Sequence, residues 1–167
     1  YHIRMENIIL GSAGWRCEYA GKKNILSNSE VKNLILEISN SGIDHIDTAP
    51  SYGDAQEIIL KLADQTTKID TKLNKLDGYD DLLNQLKKLE LSIERIHTIF
   101  FHDPEIVKTN SRKELIQYYE EINKRECNMG FSLYDIESFK IAYKIFPRND
   151  DVLFQVPVNL LDLKFMK

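Results

Sequence analysis

The sequence predicts an α/β protein built on a parallel sheet, and three observations support this prediction. Six short apolar runs have the length and the Ile, Phe and Val content of strands. Longer segments with the periodicity of amphipathic helices separate these runs. The two kinds of segment alternate along all 167 residues without a linker or a break in composition. Such alternation is typical of βαβ units, so we expect one α/β domain over residues 1–167.

The order of the predicted elements is regular, and local signals mark some of their ends. Ser27 with Glu30, and Ser111 with Glu114, have the spacing of a capping box, and Gly42 stands where a C-terminal cap belongs. The predicted strands are residues 7–11, 42–48, 68–73, 96–102, 128–134 and 151–158, and the predicted helices are residues 27–42, 54–64, 79–90, 111–124 and 135–146.

The segment after the first strand helps to choose between two parallel-sheet folds. It reads GSAGWRCEYAG, which lacks the glycine pattern of a phosphate-binding turn between a strand and a helix. This lowers the odds of a doubly wound dinucleotide-binding sheet. It raises the odds of a (β/α)8 barrel, and in either fold we expect a ligand site at the carboxyl ends of the strands.

Composition and charge exclude several classes of partner. The net charge of −4 favours neither nucleic acid nor an anionic membrane surface, and no apolar run has the length of a membrane span. The two cysteines, Cys17 and Cys127, have no metal-binding spacing, so we expect a reduced, cytoplasmic setting. A disulfide between them is left open.

Polar side chains stand where the predicted strands end. In a parallel sheet these ends lie at the same edge, so we expect the side chains to lie close together. Charged groups at partly buried positions need partners that offset their desolvation. The residues are Asp47, Tyr52, Lys72, His102, Ser132 and Gln155.

Four of these residues suggest proton transfer to a carbonyl oxygen. A phenol alone is a poor acid at neutral pH, but a neighbouring ammonium such as that of Lys72 stabilises its phenolate. Asp47 would fix the lysine, and His102 would orient the carbonyl or relay the proton. Tyr52 would then act as the acid while a cofactor delivers a hydride, because no side chain supplies one.

These segments resemble the signature segments of the aldo-keto reductases in order and spacing. The resemblance covers nearly the whole chain. It is carried by LGSAG near the start, DTAPSYG after the second strand, TKL in the third, HDP after the fourth, GFSLYD in the fifth and FQVPVNLLD in the sixth.

The resemblance implies reduction of an aldehyde or ketone, including sugar carbonyls, with NADPH or NADH as cofactor. Tyr52 matches the general acid, and Asp47, Lys72 and His102 match its three partners. Trp15, in the loop after the first strand, would line the substrate pocket.

Four further residues match positions that hold the nicotinamide. Ser132 and Gln155 match the residues that bind its carboxamide, and Gly11 and Ser12 match backbone near its ring. Leu133 stands where the family often has Asn, which puts one carboxamide contact in doubt.

The family's eight-stranded barrel implies that six strands are an incomplete one, truncated at the C-terminus. The missing strands and loops would hold the pyrophosphate and the adenosine phosphate. A fragment, completion by another chain and a natural truncation are all consistent with this, and self-association would cover the open sheet edges.

Two rival functions are carried forward. One is a catalytically inactive, truncated barrel that acts as a binding or assembly module. The other is a hydrolase or isomerase that uses His45, Asp47 and His102. We expect no metal site, because a metal at His45 would need more ligands than the sequence reveals.

Overall fold

The computed structural model describes residues 8–19, 21, 25–147, 149–158 and 165. The predicted first residue of the first strand, at position 7, and the NLLD end of the sixth-strand motif lie outside this part of the chain. None of the helices in the described ranges combines the length and apolar composition needed to cross a membrane.

Strands and helices alternate as predicted. The strands are β1 (Leu10–Gly11), β2 (His45–Asp47), β3 (Lys68–Leu73), β4 (Ile96–Phe101), β5 (Asn128–Ser132) and β6 (Val152–Gln155). The helices are α1 (Asn28–Asn40), α2 (Ala55–Leu62), α3 (Tyr79–Leu89), α4 (Ile106–Thr109), α5 (Arg112–Asn123) and α6 (Ile136–Ile145), and a 3-10 helix covers Glu90–Arg95.

The strand order in the six-stranded sheet is β1-β2-β3-β4-β5-β6, the same as the order along the chain. β1 pairs with β2 and β2 with β3 in parallel, as do β4 with β5 and β5 with β6. In a doubly wound sheet the order of the strands reverses at a switch point. In a (β/α)8 barrel each new strand lies beside the preceding one. The order therefore confirms the predicted fold class, an incomplete (β/α)8 barrel with six strands and helices between them.

The chain divides into two compact units. The first unit covers the described part of Tyr1–Lys72 together with Ser92–His97. The second covers Leu73–Leu91 and the described part of Thr98–Lys167.

Each unit has an apolar core of its own, made by one stripe of each helix and by the strands. Burial of such side chains supplies the main favourable term for folding. In the first unit the core includes Val31, Ile35, Ile46, Ile59 and Ile69, and in the second it includes Leu82, Leu86, Ile99, Phe101, Leu115, Met129 and Phe131.

The predicted helix caps are present. Ser27 and Ser111 each accept a hydrogen bond from the backbone N–H three residues on, and the glutamate at that position accepts one in return from the cap. At the end of α1, Gly42 has φ of 78°, and the N–H groups of Gly42 and Ile43 donate to the carbonyls of Ser39 and Ile38. This is a Schellman motif, and its left-handed residue favours glycine.

The predicted strands are longer than the observed ones, except for β3. β1, β2, β4, β5 and β6 are all shorter than predicted. Most of the extra residues at β1, β2 and β6 are exposed or half-buried, so an apolar run in the sequence extends beyond the residues that pair. Neither α4 nor the 3-10 helix was predicted. No disulfide joins Cys17 and Cys127, so the alternative left open by the sequence does not hold. Burial raises the pKa of the Cys127 thiol to about 11.

Glu121 on α5 joins two helices of the second unit. Its carboxylate accepts hydrogen bonds from Arg125 Nη1 at 2.8 Å, from Lys124 Nζ at 2.9 Å and, across to α3, from Tyr79 Oη at 3.0 Å. These bonds, with that from Arg125 the strongest influence, lower the pKa of Glu121 from 4.5 to about 2. The carboxylate is 12 % exposed, so solvent screens the bonds little.

The Glu121 contacts predict a stability that depends on pH. A carboxyl whose pKa is lowered on folding contributes stability above its unfolded pKa, and the contribution is lost as the pH falls through the folded pKa. We expect Glu121→Gln to lower the free energy of unfolding by on the order of 2 kcal/mol at pH 7. The deficit should shrink as the pH falls from about 4.5 towards 2.

Urea unfolding followed by circular dichroism over this pH range measures the effect. Glu120→Gln is the matched control, because Glu120 is an exposed neighbour on the same helix, and it should change stability by less than about 0.5 kcal/mol. A Glu121→Gln deficit that is the same at all pH values would contradict the assignment.

Candidate active site

A buried ion pair connects the second and third strands of the first unit. Asp47 is the last residue of β2 and is 8 % exposed, and Lys72, in β3, is 2 % exposed. Lys72 Nζ donates to both carboxylate oxygens of Asp47, at 2.5 and 2.6 Å, and to the carbonyl of Thr48 at 3.3 Å. Every donor of the ammonium is thus used, which is the condition under which a buried pair offsets its desolvation.

Tyr52 lies against this ion pair. It is half-buried in the loop between β2 and α2, and Lys72 Nζ stands 5.0 Å from the centroid of its ring. That distance is within the range of a cation–π contact. The structure therefore brings together three of the four predicted catalytic residues: Asp47, Tyr52 and Lys72.

The loop that carries Tyr52 is held by a close approach and an ion pair. Gly53 has φ of 67°, and a Cβ there would stand 2.6 Å from the carbonyl oxygen of Arg16, so only glycine fits. Arg16 pairs with Asp54 in a fork, with Nε to Oδ1 at 2.6 Å and Nη2 to Oδ2 at 2.9 Å, and its Nη1 donates to the carbonyl of Leu26. The hydrogen bonds of this pair raise the pKa of Arg16 and lower that of Asp54.

Arg16 and Asp54 were not identified from the sequence. The segment DTAPSYG includes Gly53 and ends just before Asp54. The residue that pairs with Asp54, Arg16, lies in another loop, 38 positions earlier in the sequence. The sequence shows only that Arg16 is a basic residue after the first strand and that Asp54 is an acidic residue after DTAPSYG. Their pairing depends on the path of two loops, which no local pattern specifies.

The remaining predicted residues of the first unit lie around the end of β1. Gly11 is its last residue and is exposed, and the backbone N–H of Ser12 donates to the carbonyl of Asp47 at 2.9 Å. Ser12 is fully buried, and its Oγ has no hydrogen-bond partner in the described part of the chain. Trp15 is 7 % exposed, so its indole packs within the unit, and its place in a substrate pocket stays a prediction.

The second unit holds the other three predicted residues. His102 directly follows β4 and is half-buried, and its backbone N–H donates to the carbonyl of Leu73 at 3.3 Å. Ser132 and Gln155 are the last residues of β5 and β6 and are paired in register, with Ser132 Oγ 3.5 Å from Gln155 Oε1. The predicted grouping of His102 with Tyr52 stays a prediction, because the two residues belong to different units.

Comparison with known proteins shows likeness at the level of fold. No family model and no curated protein matches the chain. A Pseudomonas aeruginosa crystal structure, named as a provisional aldo-keto reductase, superposes with a TM-score of 0.72 and 20 % identity over 93 % of this chain and 64 % of that one. A Clostridium difficile type I 3-dehydroquinate dehydratase superposes with a TM-score of 0.51 and 17 % identity, over 89 % and 59 %.

This chain therefore spans less than two thirds of the length of either structure. At these identities the likeness concerns the fold alone. It supports the incomplete (β/α)8 barrel and leaves the chemistry to be argued from the site.

The buried ion pair predicts a strong dependence between two substitutions. Lys72→Met leaves the carboxylate of Asp47 buried without its cation, and we expect it to cost roughly 3–5 kcal/mol of stability. The double variant Asp47→Asn/Lys72→Met leaves no unpaired charge. Its loss in free energy of unfolding should therefore be smaller, by at least about 1 kcal/mol, than the sum of the losses of the two single variants.

Chemical denaturation of the three variants measures this coupling. Lys68→Met is the control on the same strand, because the Lys68 side chain is 52 % exposed, and it should be nearly neutral. Additive costs for Asp47 and Lys72 would show that the pair does not act as one unit.

Proposed function

We propose that the protein is an oxidoreductase of aldo-keto-reductase type that reduces an aldehyde or ketone with NADPH or NADH. One observation carries the proposal. The ammonium of Lys72 is held by Asp47 and stands 5.0 Å from the ring centroid of Tyr52. The likeness of fold to a protein provisionally named an aldo-keto reductase supports it.

Tyr52 is the general acid in this proposal. As negative charge develops on the carbonyl oxygen, the Tyr52 hydroxyl donates its proton, and the product is an alcohol. Lys72 stabilises the phenolate that is left, because an opposite charge nearby favours the charged form. Asp47 fixes the ammonium through both carboxylate oxygens, so that it does not have to reorganise during the reaction. Solvent returns the proton to Tyr52 after turnover.

The donor set of the chain fits a nicotinamide. NADPH or NADH supplies the hydride when it is bound. The Ser132 hydroxyl and the Gln155 amide stand side by side and offer the donor and acceptor that a carboxamide needs. In the first unit, the buried Oγ of Ser12 at the end of β1 makes no hydrogen bond among the described residues.

The substrate in this proposal is a small molecule with an aldehyde or ketone group, including the carbonyl form of a sugar. His102 orients the carbonyl oxygen, and Trp15 contributes to the substrate pocket. A free carbonyl is the minimum requirement, because Tyr52 and Lys72 act on its oxygen.

Cofactor binding is the first test. Trp15 is the one tryptophan in the sequence, so all indole emission comes from this one position in the loop after β1. We expect NADPH or NADH to quench this emission, because reduced nicotinamide absorbs where indole emits, and to do so in a saturable manner. A folded protein that binds neither dinucleotide would overturn the proposal for this chain and favour a binding or assembly module.

Removal of the Tyr52 hydroxyl is the second test. Tyr52→Phe should reduce kcat for carbonyl reduction by at least about 100-fold, which is the usual contribution of a general acid, and leave cofactor affinity unchanged. Tyr143→Phe is the matched control on the exposed side of α6 and should keep wild-type turnover. Turnover retained by Tyr52→Phe would refute the assigned acid.

A further inference from the structure

A second polar cluster lies on the same face of the first unit as the Asp47–Lys72 pair. Successive side chains of a strand point to opposite faces, so His45 shares a face with Asp47 in β2, and Asp70 shares one with Lys72 in β3. His45 and Asp70 therefore lie two residues, about 7 Å, further from the carboxyl ends of the strands. His97, the second residue of β4, completes the cluster.

The three side chains converge on one point. His45 Nε2 lies 2.9 Å from Asp70 Oδ1, and His97 Nδ1 lies 3.5 Å from the same oxygen. The two imidazole rings are edge to face with centroids 4.9 Å apart. One nitrogen or oxygen from each residue lies within 4.8 Å of the other two.

Burial of the cluster makes the charge on Asp70 costly, because the carboxylate is removed from water. Asp70 is 1 % exposed, and its ion-pair partners in the described part of the chain are the two histidines. The two lysines of β3 are both two residues from Asp70, but Lys72 is committed to Asp47. The Lys68 side chain is 52 % exposed, and its Nζ lies 3.9 Å from Asp44 Oδ2. A carboxylate so deep in the protein requires a compensating positive charge.

The hydrogen bonding of the cluster is incomplete. Asp70 Oδ1 and His45 Nε2 are both buried, and neither makes a hydrogen bond of acceptable geometry among the described residues, although they are 2.9 Å apart. Two buried polar atoms this close, yet poorly aligned with each other, suggest that their lone pairs are directed at a shared third atom.

We propose that His45, Asp70 and His97 bind a divalent transition-metal ion, with Zn²⁺ the best match. Two imidazole nitrogens and one carboxylate oxygen are a ligand set that zinc accepts, with a fourth position left for water. Bonds of about 2.0–2.2 Å in a tetrahedral site place neighbouring ligand atoms about 3.3 Å apart. The two distances to Asp70 Oδ1, 2.9 and 3.5 Å, bracket this value, and the two imidazole nitrogens, which lie within 4.8 Å of each other, would approach to the same separation on binding.

Solvent can reach the site from one side. The His97 side chain is 36 % exposed, whereas those of His45 and Asp70 are 11 % and 2 % exposed. The exposed edge provides a path for the ion and a place for its water. The ion would join β2, β3 and β4 and neutralise Asp70.

Metal binding is measured on the purified protein after treatment with a chelator and dialysis against Zn²⁺. We expect one zinc per chain by elemental analysis and an increase in Tm on zinc addition, because a ligand that binds only the folded state stabilises it. Co²⁺ in place of Zn²⁺ should give the visible absorption of a tetrahedral site. None of these readouts involves carbonyl reduction or NADPH, so the proposal and the proposed function can fail separately.

Variants of the cluster locate the site. His97→Gln and Asp70→Asn should weaken zinc affinity by more than about 100-fold and remove the zinc-dependent Tm increase. His102→Gln, a histidine outside the cluster, should bind zinc as the wild type does. His97→Gln decides if Asp70→Asn does not fold, because His97 is partly exposed and tolerates substitution better. A folded wild type that retains no zinc, or a His97→Gln variant that binds it equally well, would overturn the proposal.

Discussion

The ion pair between Asp47 and Lys72 is the constraint on which the first unit depends. Two charges at 8 % and 2 % exposure are stable only while they face each other with every donor used. That condition specifies the register of β2 and β3, because a shift of one residue would turn Lys72 to the opposite face. The same register directs the Thr48 N–H to the carbonyl of Asp70. Backbone pairing and side-chain chemistry are therefore coupled at this point.

The register of β2 and β3 also determines which side chains lie beside the ion pair, two residues further from the carboxyl ends of the strands. With Asp47 opposite Asp70, the face that presents Asp47 and Lys72 must also present His45 and Asp70. A barrel interior is usually filled by branched apolar side chains, so two consecutive polar layers depart from what packing alone would select. Departures of this kind are expected where function requires them. The layer of Asp47 and Lys72 suits proton transfer, and the layer of His45 and Asp70 suits a cation.

Local features of the fold could be predicted, and features that depend on chain path could not. The capping boxes at Ser27 and Ser111 and the glycine after α1 involve residues within a few positions of one another, so the sequence reveals them. The predicted strands extend too far because apolar composition does not show which residues pair with a neighbouring strand. Asp70 was passed over inside the run KIDTKL, since its partner His97 is 27 positions away on another strand. Lys72, in that same run, could be predicted because it stands near the carboxyl end of the strand, and a family motif also matches it.

The likeness of fold does not decide the chemistry. One structure that superposes on this chain bears the name of a reductase and another that of a dehydratase, and both share less than a quarter of their residues with it. A scaffold that hosts both reactions leaves the choice to the side chains at its strand ends. Here those side chains are a phenol beside a lysine whose position a buried carboxylate fixes. This arrangement is suited to giving a proton to an oxygen that is gaining charge, which is what the proposed carbonyl reduction requires of the protein.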